Sequence, residues 1–385
     1  MSIKRYVRFK QLYLLPVLAL LSMLFFSSCQ TVSTSTTNVG DWALSSEYSG
    51  APRTQAASFI IKTGGKDVIY IGGGYDGYTN TRLNDWYKFD ETNGTWYQVA
   101  DFPGTPRNLA VGFSVNGKGY VVGGNGGPSD PYLSDVWEYD PALGSIGADG
   151  NPVGQWTLKP HPFGGGARYS AVAFAIGDSG YVATGIDSNS NWRKDLWVYA
   201  PASDTWTQGT DLGGGSNSTS GTNNIGNDKR QDAVSFVYTN PTTNVQTAYV
   251  VTGINNGSYV DDLLSYDAAT GLWTAHRKID DTNDSSYDAA YGNNIQRSSA
   301  SIFLINDTAY LTCGSYNGVI GTTWCYDIGN DLWFQKTSFE GAPRQGAIGF
   351  SINNHGYITT GSSGNNYYDD LWQFYPDAGQ TNNDN

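Results

Sequence analysis

Apolar and polar positions along this chain recur in a fixed phase. Short runs rich in Val, Ile, Tyr, Phe and Trp are bounded by clusters of Gly, Asn, Asp and Pro, the pattern of strands separated by turns. The clearest mark of the phase is R-x-x-A-x-x-F, at Arg53/Ala56/Phe59, Arg107/Ala110/Phe113, Arg168/Ala171/Phe174, Arg230/Ala233/Phe236, Arg297/Ala300/Phe303 and Arg344/Ala347/Phe350. Each copy is followed by a Tyr and, four residues later, a Gly: Tyr70/Gly74, Tyr120/Gly124, Tyr181/Gly185, Tyr249/Gly253, Tyr310/Gly314 and Tyr357/Gly361. A D-h-W-x-[YF] segment comes next, clearest at Asp135 to Tyr139, Asp195 to Tyr199 and Asp370 to Phe374, and looser at Asp85 to Phe89 and Asp262 to Tyr266. The fifth copy reads Thr322-Thr-Trp324-Cys-Tyr326, without the Asp. A last Trp closes five units, at Trp96, Trp156, Trp206, Trp273 and Trp333. Four strands per unit, and units 47 to 67 residues apart, predict an array of small sheets rather than one continuous fold.

In the first strand apolar residues do not strictly alternate with polar ones (Ala-Val-Ala-Phe-Ala-Ile at 171–176), as expected where both sheet faces are covered by neighbours. Small residues there let backbones approach near a crowded axis, and the Trp and Tyr of later strands fill the widening space outside. The sixth unit has no closing Trp, but Trp42 precedes Arg53 by eleven residues, as Trp96 precedes Arg107 and Trp333 precedes Arg344. The segment Asp41 to Ser45 is therefore predicted to supply the outer strand of the last sheet and close the ring, which protects edges that an open array would expose.

Tyr120-Val-Val-Gly-Gly124 followed by Trp137-Glu-Tyr139-Asp140 resembles the kelch repeat, and the resemblance covers roughly residues 41–376. It implies an all-β, six-bladed β-propeller closed by an N-terminal strand. Four copies replace the first Gly of the pair, with Thr184, Thr252, Cys313 and Thr360. A glycine content of 48 in 385 agrees with a turn-rich chain.

The N-terminus is a separate device. Lys4, Arg5, Arg8 and Lys10 precede an apolar run from Leu12 to Phe26 and the small residues before Cys29, too short a run for a membrane span. The arrangement resembles a bacterial lipoprotein signal with Cys29 as the lipidated residue, an ordinary secretory signal being the alternative. The expected organisation is a signal peptide at 1–29, a Ser/Thr-rich tether at 30–39, the propeller at 40–376 and a disordered tail at 377–385, in a monomer lipid-anchored in the cell envelope, at the outer membrane. Removing residues 1–29 takes away those four bases and no acid, leaving 18 Lys+Arg against 35 Asp+Glu, a net charge of −17. So acidic a chain excludes nucleic acid as a partner, and membrane contact other than through the anchor. Cys313 and Cys325 remain, either as a disulfide or as two packed small hydrophobes.

In such a ring the loops leading into the first strand and those joining second to third strands share one face, at the mouth of the central channel. Trp206 to Arg230 and Trp273 to Arg297 are long insertions of that kind, and Tyr75, Tyr78, Tyr132, Trp192, Tyr259, Tyr316, Tyr367 and Tyr368 share that face. Aromatic rings among Asn, Ser and Asp suit sugar recognition, the alternative being that they cap the sheets. Arg53, Arg107, Arg168, Arg230, Arg297 and Arg344 would surround the mouth, most of them neutralised by Asp85, Asp135, Asp195, Asp262 and Asp370. The gap at Thr322 would leave Arg297 freer to hold an anion; the alternative is that all six only tie down blade edges. The expected partner is thus a glycan, a sugar acid or a protein.

Two enzyme families share the kelch scaffold. Resemblance to galactose oxidase would imply copper held by Tyr and His, yet His161, His276 and His355 lack ligand spacing, so neither metal nor other cofactor is expected. Resemblance to exported sialic acid mutarotases would imply an acid/base carboxylate beside an Arg. Only Glu47 and Glu340 among the glutamates can reach the mouth, and nothing resembles that family's catalytic Glu insert. The run Asp280 to Asp288 has oxygen ligands but not the order of a calcium loop. The expectation is a non-catalytic binding protein, with a sugar mutarotase or epimerase as the alternative.

Overall fold

Six antiparallel four-stranded sheets, one per repeat, account for the main strands of the structure, a computed structural model that describes residues 39–214, 229–277, 279 and 295–381. The six first strands, Ala57–Thr63, Val111–Val115, Val172–Ile176, Val234–Thr239, Ser301–Ile305 and Ile348–Ile352, each contact the next, and the sixth contacts the first. The sheets therefore stand radially as six blades around an axis. The channel down that axis, about 240 Å³ near the mouth and about 420 Å³ deeper in, is lined by first-strand Ala, Gly, Ser and Val together with larger apolar residues.

Strand register explains the repeat phase. The Phe of each R-x-x-A-x-x-F lies directly opposite the Tyr of the second strand, as Phe113 does Tyr120 and Phe236 does Tyr249. In all six blades the two rings stack, with centroids 4.7 to 5.7 Å apart, a geometry worth ~0.5–1.5 kcal/mol beyond burial. The stack also reaches the next blade: a Cβ added at Gly180 would sit 2.1 Å from the ring of Phe113, so the second strand of blade 3 needs glycine for its neighbour to approach.

The N-terminal segment does close the ring. Asp41–Glu47 pairs antiparallel with Asp370–Tyr375, placing Trp42 opposite Phe374 and Leu44 opposite Trp372. The strand runs two residues beyond the expected Ser45, past a bulge between Leu44 and Ser46. Trp42 is fully buried, donates its indole N–H to the Thr337 carbonyl at 3.4 Å, and meets Phe339 edge-on at 5.0 Å. The tail, expected to be disordered from 377, is held at residue 381, where the Thr381 hydroxyl and backbone N–H both donate to the Asp41 carboxylate at 2.8 Å; residues 382–385 lie outside the described residues. Strand register separates the two alternatives left open for the cysteines. Cys313 and Cys325 are free thiols: Cys325 pairs with Tyr310, three residues along the ladder from Cys313, which separates the two by about 10 Å, beyond disulfide reach. They pack instead in one apolar cluster.

The expected lipidation site Cys29, most of the two long insertions and the acidic run at 280–288 lie outside the described residues. No helix among those described is long and apolar enough to cross a membrane, and no group of three His, Cys, Asp or Glu among them is placed to hold a metal. Each of the three histidines instead faces a carboxylate of the adjoining blade: His161 with Asp204, His276 with Asp331 and His355 with Glu91.

Deleting residues 40–50 removes the outer strand of blade 6 and the buried Trp42. The expected result is a Tm lowered for the whole propeller in one transition, measured by calorimetry; an unchanged Tm would refute closure by this strand.

Candidate functional site

Each repeat arginine is the hub of its blade. Its Nη1 donates to the carbonyl at the first position of the kelch pair: Gly73, Gly123, Thr184, Thr252, Cys313 and Thr360. In five blades both terminal nitrogens also bond the third-strand aspartate in a bidentate fork, pairing Arg53 with Asp85, Arg107 with Asp135, Arg168 with Asp195, Arg230 with Asp262 and Arg344 with Asp370. The Trp of D-h-W holds the same carboxylate, Trp137 at 2.7 Å and Trp197 at 2.8 Å. An aromatic five residues before the arginine stacks on the guanidinium in four blades, as Phe102 does 4.7 Å from Arg107. The arginine's backbone carbonyl meanwhile accepts from the second kelch glycine of the preceding blade, for example Gly74 N–H to Arg107 at 2.7 Å.

These contacts correct the expectation that the arginines meet a ligand. All six are buried, at 3% exposure or less, and their guanidinium groups are spent inside the protein. Arg297 is no exception: its Nε donates to Ile295, its Nη1 to the Cys313 and Thr322 carbonyls, and its Nη2 to the Thr322 hydroxyl. Thr322 supplies with its hydroxyl and carbonyl what the other blades supply with a carboxylate, and burial pulls the Arg297 guanidinium down to about 9.

Two residues after each arginine the chain turns through the left-handed region, at Gln55, Leu109, Ser170, Asp232, Ser299 and Gly346, with φ between 51° and 64°. This turn aims each backbone N–H at the carbonyl of the equivalent residue in the preceding blade. Leu109 donates to Gln55, Ser170 to Leu109, Asp232 to Ser170, Ser299 to Asp232, Gly346 to Ser299 and Gln55 to Gly346, at 2.7 to 3.1 Å. The six bonds form a closed collar around the channel mouth. Five of the six positions carry a side chain into this ring, and one of those is an acid.

Asp232 is that acid. The residue is half-buried at the collar, with its carboxyl enclosed by protein. Burial raises its proton affinity above the ordinary carboxylate range, against hydrogen bonds from Ser170 and from Gln231, whose Nε2 lies 2.9 Å away. Nearby, Arg193 pairs backbone to backbone with Arg230 and leaves its side chain 40% exposed, its guanidinium 3.5 Å from Asp187 and from Asp195. Tyr169 follows Arg168 at the same rim, its phenol pushed up to about 12 by burial and by Tyr132. Nothing in the local sequence marks Asp232; the available signal was that it alone is acidic among the six residues two places after a repeat arginine.

Rim aromatics come in pairs across blade boundaries. Tyr132 stacks on Tyr169 at 5.1 Å, Tyr259 tilts against Tyr316 at 4.7 Å, and Tyr78 and Tyr367 meet at 5.4 Å with Tyr78 61% exposed. Tyr316 is half-buried in its pair; Trp192 is half-buried in a bridge to Ile186 and does not join one. Between two of these pairs Arg82 donates to Asn108 and Asn125.

A family model for the Kelch motif matches residues 64–103. The chain is a six-bladed β-propeller that carries a Kelch motif. Over 176 residues it is 27% identical to an N-acetylneuraminate epimerase of Salmonella arizonae, covering 38% of this chain and 44% of the relative. A Yersinia enterocolitica protein of the same name is 40% identical over 80 residues, 19% of each chain, and one from Shigella sonnei is 31% identical over 137 residues, 34% of this chain and 33% of its own. The matched stretches thus span less than half of these relatives. The solved structure of YjhT superposes with a TM-score of 0.61 over 84% of this chain and 95% of YjhT, at 16% identity, which shows the shared fold.

Two outcomes follow. Asp195→Asn leaves Arg168 buried beside a neutral partner and is expected to cost about 3–5 kcal/mol in chemical denaturation. Asp135 and Asp195 lose solvation on burial, but their arginines outweigh this and hold both below the usual range. Their contribution is therefore present above about pH 4 and lost as pH falls through the lower folded values. For Asp232 the sign reverses: the folded protein binds its proton more tightly than the unfolded chain, so stability is lost as pH rises past the ordinary carboxylate range. Asp232→Asn is expected to raise the Tm at pH 7, with the gain vanishing by about pH 3; a gain that is the same at both values would overturn the assignment.

Proposed function

We propose that the channel mouth binds a sugar acid of the sialic acid type and interconverts its anomers, with Asp232 as the acid and base. The observation that carries this reading is a carboxyl of raised proton affinity at the collar, two residues after Arg230, whose backbone pairs with that of the partly exposed Arg193. The relatives' shared name, N-acetylneuraminate epimerase, supports the substrate class. Ring opening needs a proton delivered to the ring oxygen as its bond to the anomeric carbon breaks. Asp232 in its protonated form supplies it, while the anomeric hydroxyl passes its proton to water at the mouth and becomes a carbonyl. Rotation about the adjacent bond and the reverse transfers then give the other anomer. An acid with its proton affinity raised toward the working pH is suited to both directions. Arg193 would hold the substrate carboxylate in a charge-assisted pair, and the Tyr132–Tyr169 pair offers apolar ring surface to the sugar.

A second reading, glycan binding without turnover, draws support from the exposed Tyr78 on the far side of the rim. Exchange of N-acetylneuraminate anomers, followed by NMR, separates the two. Catalysed exchange that falls ~10²–10⁴-fold in Asp232→Asn, with Arg193→Ala raising KM more than it lowers kcat, is the expected outcome. Binding without acceleration by the unmodified protein would favour the second reading.

A further inference from the structure

We infer that the face opposite the mouth carries a second site, for an uncharged oligosaccharide, beneath a hairpin peculiar to blade 2. In blades 1, 3, 4 and 5 the third and fourth strands are joined by four residues, as between Asp90 and Thr95 or Ala200 and Thr205. In blade 2 the connection runs from Asp140 to Gln155 and folds on itself through Gly147 N–H to Asn151 and Val153 N–H to Ser145. Loops added to a regular scaffold are where binding residues concentrate.

One side of this hairpin is exposed and the other is tied to blade 1. Asp149 reaches across to blade 1 and meets the Lys88 Nζ at 2.7 Å, both side chains being less than 15% exposed, and the Val153 carbonyl accepts from Ala100 N–H and from the Tyr139 hydroxyl. Between hairpin and blade lies a cavity of about 590 Å³, within the range of ligand pockets. Val68, Pro141, Ala142 and Pro152 give it apolar surface over the buried rings of Tyr70 and Phe89, and Phe89 stands where blades 2 to 5 have a tyrosine.

The charges around this cavity decide what it takes. Lys88 is matched by Asp149, Lys62 lies 3.6 Å from Asp67, Lys66 donates to the Thr92 hydroxyl at 3.2 Å, and Glu91 accepts from His355, Asn353 and Tyr357. The ions set into the wall, Lys88, Asp149 and Glu91, have internal partners, and Lys62 and Lys66 lie on its exposed edge, so a charged ligand would gain little inside the cavity and lose its hydration. What remains is fixed donors beside fixed acceptors over aromatic and aliphatic surface. Adjacent hydroxyls of a sugar ring satisfy such pairs while its C–H face covers the apolar residues. The volume favours more than one sugar ring. Lying on the other face, the site is independent of the chemistry at the mouth.

The test is saturation-transfer NMR on the whole propeller with maltose, cellobiose and chitobiose as neutral probes and N-acetylneuraminate as the charged one. At least one neutral disaccharide is expected to bind with Kd of ~1 mM, weakened at least tenfold both by Ala142→Trp, which fills the cavity from the exposed hairpin, and by Lys88→Met. A Tm equal to the parent's confirms that Ala142→Trp is folded. No binding of any neutral probe, or binding that the folded Ala142→Trp retains, would overturn the site.

Discussion

The buried guanidinium at the head of each blade is the interaction on which the rest depends. One side chain ties the start of the first strand to the end of the second through the kelch carbonyl, and to the third through a carboxylate, while its own backbone carbonyl holds the glycine of the preceding blade. The same residue therefore fixes the inside of one blade and its seam with another. Six charges near one axis can be buried only because each is met by hydrogen bonds and, in five blades, by a bidentate aspartate. Their value lies less in net stability, which buried ion pairs contribute sparingly, than in the cost of any arrangement that leaves one of them unpaired.

The collar follows from that anchoring. With the arginine fixed, the next two residues must turn sharply before the first strand begins, and the left-handed turn points each N–H along the circumference rather than down the axis. A ring of six such bonds closes only if all six blades are present, so blade 6, completed by a strand from the opposite end of the chain, is a condition of the mouth's geometry. A site at the mouth and the seam at Trp42 are in this way mechanically linked.

Around the collar, function is compatible with only those groups the scaffold does not consume. The arginines are consumed. Asp232 accepts from Ser170 and Gln231 with no charged partner among the described residues: it stands where other blades carry Gln, Leu, Ser or Gly, and keeping a carboxyl in that enclosed place works against stability at neutral pH. On the opposite face the hairpin of blade 2 does the converse, matching Lys88 with Asp149 beside the cavity.

Repeat phase determined much by itself: six four-stranded sheets, the stacked Phe and Tyr, the five arginine–aspartate pairs and the closing Trp42 all follow from residues that recur at fixed spacing, because a recurring residue must meet a recurring environment. The position of Asp232 was not legible in that way, since its neighbours in the collar come from other repeats and its raised proton affinity arises from enclosure by them. Nor was the burial of Arg297 beside Thr322, nor the offset that keeps Cys313 from Cys325, because depth and register are properties of packed strands. Periodicity reports what the blades share, whereas proton affinity and access depend on what surrounds one residue in space, and only the closed ring decides that.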